Sequence, residues 1–239
     1  FIFLAFICFH FYLKKWFDPK LSFVGVAFLA AIMPLSYFNH LQESAPLLLL
    51  TFLLALWAIR EHKLFWYMVI LFIGALNNET MLVLPLVYFC YNIEKFEFRH
   101  LWRLSVITLG SCLPAYAAAG IIRYITRDVP RLEKVWQLPD NIQGVIEHIR
   151  FTPLEYWDAE FLYFVFLFGA FWVFSFLAFS DKPLFLKRAA IMLPIFVIIH
   201  FMVSIIKEVR LLLPLSFIII PMALFSLFPL QQNSESDLK

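Results

Sequence analysis

The stretch GALNNETMLVLPL, Gly74 to Leu86, decides how this chain folds. It lies inside an apolar run from Leu64 to Tyr91, and it puts two asparagines, a glutamate and a threonine where a membrane segment would carry hydrocarbon. About 28 residues at roughly 1.5 Å each would make about 42 Å of helix, against a hydrocarbon core of about 30 Å. The run therefore tilts strongly or breaks. A break at Asn77-Asn78-Glu79-Thr80 leaves halves of about 13 and 12 residues, each about 20 Å long, in a hairpin that enters and leaves by the same side. Asn77 or Asn78 would cap the second half, with Glu79 in its first turn, where the helix dipole favours a carboxylate.

The composition makes bilayer the solvent. Of 239 residues, 63% are hydrophobic and only 15% charged, with a mean hydropathy of +0.83, far from the balance of a soluble globular domain. Thirty Phe and seven Trp suit lipid-facing helices and interfacial belts. A net charge of +2, with Lys and Arg dispersed between apolar runs, is too small to argue for nucleic acid, and no such partner is expected. Cys8, Cys90 and Cys112 lie inside apolar runs without metal-ligand spacing and read as small buried hydrophobes. Neither a metal nor a cofactor is expected. The chain opens at Phe1 inside an apolar run, which reads as the C-terminal part of a longer protein.

Charged stretches mark off the other runs: Phe1 to Leu13, Leu21 to Phe38, Ala45 to Ile59, Leu104 to Ile125, Phe161 to Phe179, Ala189 to Ile206 and Leu211 to Leu230. Pro34, Pro85, Pro114, Pro194, Pro214 and Pro221 fall within runs, which membrane helices tolerate as kinks where neighbours satisfy the freed carbonyls. The expected fold is a single all-α domain over residues 1–239, a polytopic transmembrane helical bundle with a broken helical hairpin and short extramembrane helices.

Charge bias tests the hairpin, because short cytoplasmic loops carry excess Lys and Arg. With the hairpin, KKWFDPK (Lys14 to Lys20), REHK (Arg60 to Lys63), IEKFEFRHLWR (Ile93 to Arg103) and SDKPLFLKR (Ser180 to Arg188) all fall inside. NHLQES (Asn39 to Ser44), the polar segment Thr126 to Glu160 and KEVR (Lys207 to Arg210) fall outside. A single span at 64–91 would instead carry two of the basic loops outside. Within the extracytoplasmic segment, Asn141 to Arg150 reads as an amphipathic helix with Ile142, Val145, Ile146 and Ile149 on one face, started by Pro139-Asp140. It lies flat on the membrane or forms a lid over a groove. Gln231 to Lys239 is polar and reads as a disordered tail.

Ionisable groups at membrane depth are functional candidates, since each costs about 2.5 to 3.5 kcal/mol on insertion scales. Glu79 is the first, as part of a site or as a mere helix cap. His200 with Lys207, Glu208 and Arg210 is the second, in IIHFMVSIIKEVRLLLPL: His200 lies about two turns before Lys207 on the same helix face. An Arg fork beside a Lys suits a phosphate on a lipid carrier, and an ordinary charged turn snorkelling to water is the bland alternative. Glu43, just before the next helix, is the third, and stabilising that helix start would by itself explain it. All three fall on one side of the membrane.

GALNNETMLVLPL and KEVRLLLPLSFIIIP together resemble the polytopic glycosyltransferases of the GT-C type. Bacterial members carry segments like G-L-A-A-L-N-R-E-T-A-L-L-L-P-L, to which Gly74, Ala75, Leu76, Asn77, Glu79, Thr80 and Pro85 correspond; Asn78 stands where a basic residue is usual. Eukaryotic mannosyltransferases of this type end with a lumenal H-K-E-E-R-F-L-x-P, matched by Lys207, Glu208, Arg210, Leu212 and Pro214, with Val209 and Leu211 departing. The resemblance implies transfer of a sugar from a polyprenyl-phosphate-linked donor to an acceptor at the extracytoplasmic face of a bacterial-type inner membrane. It also implies a catalytic carboxylate in a loop before Phe1, leaving Glu43, Glu79, His200, Lys207, Glu208 and Arg210 as substrate-binding groups. A transporter or flippase of lipid-linked saccharides is the alternative, with the broken helix as its binding site. A polymerase or ligase of surface polysaccharides is a third reading, sharing substrates with the first.

Overall fold

A computed structural model describes residues 1–36, 44–127, 136–151, 167–205 and 208–228. The expectations for Glu43, Lys207, the tail 231–239 and most of the 126–160 segment outside its helix fall on residues outside this set. Every described element is helical: α1 (Ile2–Leu13), α2 (Pro19–Ser36), α3 (Ser44–Arg60), α4 (Leu64–Asn77), α5 (Leu84–Tyr91), α6 (Phe98–Ile125) and α7 (Leu138–Phe151). After them come α8 (Phe171–Phe176), α9 (Leu184–Ala189), α10 (Met192–Val203) and α11 (Ser216–Leu227).

The chain breaks at Asn78. Its backbone is extended, at φ −156° and ψ 131°, and its side-chain oxygen accepts from the Thr80 amide at 2.9 Å. A 3₁₀ turn, Glu79–Val83, follows and leads into α5. The second half is thus α-helical only from Leu84, because Pro85 lacks the N–H that an earlier start would need, and suits the first turn of a helix. The rings of Tyr67 and Tyr88 stack with centroids 5.2 Å apart and planes 6° from parallel. One continuous helix would hold those positions about 31 Å apart. The two halves therefore run antiparallel. Gly74 permits the closure: a Cβ there would sit 2.6 Å from Met81 Cε and 2.8 Å from its Cγ.

α11 is the core helix. It is apolar all round and buried from Ser216 to Leu224, as a helix without a polar face must be. Phe217 meets Phe9 of α1 edge-on at 5.1 Å, and Phe225 lies 4.7 Å from Phe17. On α2, Gly25 lets Leu13, Ile220 and Leu224 approach its backbone. Among the described residues, three helical stretches are long and apolar enough to cross a membrane: Phe98–Ile125, Leu184–Val203 and Val209–Leu227. On α6, the exposed rings of Trp102 and Tyr124 are about 33 Å apart along the axis, close to the roughly 30 Å of a hydrocarbon core.

The basic segments gather at one end. Lys15 pairs with Glu61 at 3.3 Å, and the Arg60 guanidinium lies 4.5 Å above the Trp16 ring. Partial burial pushes the Glu61 carboxyl up, but the hydrogen bond from Lys15 and the charges of Lys15, Arg60 and Lys63 leave it lowered overall. Arg188 donates to the Tyr91 carbonyl just before loop 92–97, and Phe185 lies 6.3 Å from Trp16 and 4.9 Å from Tyr91. Lys182 caps α11, donating to the Met222 carbonyl at 2.9 Å and to Ser226 Oγ at 2.7 Å; burial holds its ammonium below the usual lysine value. Segments 14–20, 60–63, 93–103 and 180–188 thus share an end, which a continuous span at 64–91 would forbid.

Several run boundaries differ from the expected ones. α6 begins at Phe98, absorbing Arg99 and Arg103 into its first turns. The run 161–179 is not one helix: Gly169 and Ala178 take left-handed backbone at φ 47° and 46°, leaving only α8 between them. The last run opens as a buried 3₁₀ segment, Val209–Leu215, before α11. The amphipathic helix starts at Leu138, with Pro139 in its first turn. Of the cysteines, Cys112 is buried, while Cys8 and Cys90 are only partly covered.

Gly74→Val tests the hairpin closure. The added methyls collide with Met81, so thermal unfolding of the detergent-solubilised protein should show a loss of about 1 to 3 kcal/mol. Wild-type stability would mean that the tip is not closed.

Candidate functional site

At the end opposite the basic segments, the hairpin tip meets α6 and α10. Asn78, Glu79 and Thr80 from the tip, Tyr116 and Arg123 from α6, and His200 and Ser204 from the end of α10 line a cleft of about 430 Å³. Tyr116 fixes the tip against α6 by donating to the Leu82 carbonyl at 2.8 Å. A second cleft of about 350 Å³ opens on the other flank, lined by Ala75, Asn77, Asn78, Glu79, Ala119 and Ile122. Glu79 and Asn78 line both.

Glu79 is held by Arg123 through a fork: Nε donates to Oε1 and Nη2 to Oε2. The two residues are 44 positions apart in sequence, and both side chains stay about half exposed, at 52% for Arg123 and 44% for Glu79. A guanidinium has five N–H donors, so a fork to one carboxylate leaves others to face an incoming oxyanion. Asn78 stands where the resemblance calls for a cation, and Arg123 brings one against its neighbour Glu79 from another helix.

His200 is buried at the end of α10 and lines the first cleft. Glu79 and His200, expected as one site from distant parts of the sequence, therefore share a cavity. Glu208 and Arg210 do not line it, although Leu211 beside them does. They are only 9% and 4% exposed, and Arg210 Nη2 donates to Glu208 Oε1 at 3.0 Å. KEVR is therefore not a turn whose arginine snorkels to water: its Glu and Arg are folded into the protein. Among the described residues, no three His, Cys, Asp or Glu side chains gather as a metal site would require.

The amphipathic helix docks on this same end. The Asn141 side-chain amide, buried, donates to the Phe201 and Ser204 carbonyls at 2.7 Å each, and the Gln137 amide bonds the Met202 carbonyl at 3.0 Å. These contacts satisfy carbonyls that the terminus of α10 leaves open. Ile142 and Ile146 face outward, the arrangement of a helix presenting its apolar face to an interface.

Arg123, Tyr116 and Asn141 were not legible as site residues. Arg123 reads as the charged flank of an apolar run, Tyr116 as one of many aromatics, and Asn141 as the polar side of a surface helix. The only available signal was distance from the basic loops, which puts Arg123 on the minority side for cations. Neither a family model, a curated protein nor a solved structure matches the chain.

Asn141→Ala removes two hydrogen bonds to the end of α10 and should lower stability by about 1 to 3 kcal/mol. Hydrogen exchange should quicken across Leu138–Phe151 before it does elsewhere; unchanged protection there would show that α7 is held by other contacts.

Proposed function

We propose that the chain is part of a multi-pass membrane enzyme that transfers a sugar from a polyprenyl-phosphate-linked donor to an acceptor at the extracytoplasmic face of a bacterial-type inner membrane. One observation carries this reading: Glu79, clasped by Arg123, stands between two clefts at the end of the molecule away from the basic segments. Transfer requires two substrates to meet, and a carboxylate shared by two cavities can face both. Arg123 takes the donor phosphate, whose charge grows as the bond from the anomeric carbon to the phosphate oxygen breaks. The acceptor oxygen forms the new bond to that carbon and its proton passes to the released polyprenyl phosphate, while Glu79 orients the guanidinium and the acceptor hydroxyl. His200 borders the donor cleft, and Glu208 with Arg210 holds the adjoining backbone. Arg123 thereby takes the phosphate-binding role that the sequence suggested for Arg210 and Lys207.

The broken hairpin also favours a second reading, passage of a lipid-linked saccharide across the membrane, because broken helices serve as binding sites in transporters. The two differ in whether the donor's glycosidic bond is cleaved.

Arg123→Ala should leave membrane insertion unchanged and reduce transfer of labelled sugar from a polyprenyl-phosphate donor by about 10² to 10³. Full transfer in that variant removes Arg123 from the site, and movement of intact donor without cleavage favours transport. Arg210→Ala is a poorer probe, since Arg210 is buried against Glu208 and its removal disturbs packing as well as any ligand contact.

Sidedness has its own test. A cysteine at Ser180 should be labelled by an impermeant reagent only from the cytoplasmic side and one at Gln143 only from outside. The reverse pattern would overturn the orientation and with it the outward address of Glu79.

A further inference from the structure

Away from the Glu79 clefts, α8 and α10 enclose a groove of about 510 Å³ at the basic end. Its walls include Trp172, Phe176, Phe179, Ile191, Pro194 and Ile198, and among the described residues Lys187 is the only charged one lining it. We propose that this groove holds one acyl chain of an anionic phospholipid, with the lipid phosphate on Lys187. The inference needs the chain to lie in a membrane and is independent of sugar transfer.

Length, charge and exposure agree. From Lys187 to Ile198, along the apolar helical stretch Leu184–Val203, the groove runs about 16 Å, close to half of a roughly 30 Å hydrocarbon core. An acyl chain of one leaflet fits that length, and its headgroup falls at Lys187. The Lys187 ammonium donates to the Ser180 carbonyl at 2.9 Å, which fixes its place; an ammonium carries three donors, so two remain for a phosphate. Neighbouring cations are engaged elsewhere: Lys182 is buried against α11, and Arg188 reaches the Tyr91 carbonyl. Asp181, the nearest acid in sequence, accepts from Ser180 Oγ and does not line the groove. Phe176, Phe179, Ile191 and Ile198 are exposed along the walls, where water would be a poor neighbour. A basic position on the cytoplasmic side of a helical bundle attracts anionic headgroups.

Trp172 in the wall supplies the readout. The full chain is reconstituted in vesicles containing phosphatidylglycerol or phosphatidylcholine with brominated acyl chains, and Trp172 quenching is taken as the difference between wild type and Trp172→Phe. At low salt, brominated phosphatidylglycerol should quench at about one-fifth the mole fraction that phosphatidylcholine needs. Lys187→Gln should bring that ratio close to one, while Lys20→Gln, exposed at the same end, leaves it unchanged. Equal quenching by both lipids in the wild type, or a preference that survives Lys187→Gln, overturns the proposal. So does an equal loss in Lys20→Gln, which would mean surface charge alone, or no quenching by either lipid, which would mean that protein covers the groove. Should Trp172→Phe fail to fold, native mass spectrometry of wild type and Lys187→Gln decides the same question from retained lipid: retained phosphatidylglycerol that is not reduced in Lys187→Gln overturns it.

Discussion

The reversal of the chain at Asn78 is the constraint on which the rest depends. A backbone that turns round among apolar helices must satisfy its own polar groups; here the Asn78 side chain and a 3₁₀ turn do so, while Gly74 leaves room for Met81 to close the tip. Because α5 returns beside α4, the loop at 92–97 comes back to the end that holds Arg60 and Glu61. α6 must then cross the whole length of the bundle to reach its other end, and its 28 residues allow that. Arg123 arrives at the hairpin tip as a consequence. Had the run continued straight, α6 would have started at the opposite end and carried Arg123 to the company of Lys15.

What could be read from the sequence follows from which signals are local. The break was legible because length is a one-dimensional quantity, and a run of that length with Asn-Asn-Glu-Thr at its middle leaves few alternatives. The gathering of the basic loops was legible because charge bias counts residues without needing contacts. The Glu79–Arg123 fork was not, because it joins positions 44 apart through the packing of two apolar helices. The division of 161–179 was also hidden. Ala178 adopts a left-handed backbone that nothing in its residue type announces, and one glycine among phenylalanines is weak evidence for a turn at 169.

The two ends of the bundle solve different electrostatic problems. At the basic end, cations are distributed over aromatic faces, carbonyls and one carboxylate: Arg60 on Trp16, Lys15 on Glu61, Lys182 and Arg188 on backbone oxygens. Such contacts spread charge among partners that are fixed parts of the fold, which suits anchoring at an interface. At the other end, Glu79 and Arg123 pair beside two clefts, with His200 lining the first, while Glu208 and Arg210 pair in the interior. Uncommitted volume next to fixed charge is what a ligand needs, and the basic end offers it beside Lys187.

The Glu79–Arg123 and Glu208–Arg210 pairs, at the end away from the basic segments, differ in burial. Glu208 and Arg210 are buried together away from the cleft lining, so this pair is not placed to meet a ligand. Glu79 and Arg123 are both about half exposed, and a pair of that kind in contact with water contributes only about 0 to 1 kcal/mol. Little is lost if a phosphate shares the guanidinium with Glu79 or takes it over. Charge on an incoming oxyanion would repel the Glu79 carboxylate toward the second cleft, which Glu79 also lines and where a hydroxyl could donate to it. The exposed pair is therefore the one open to an incoming anion, and the buried pair belongs to the packed interior.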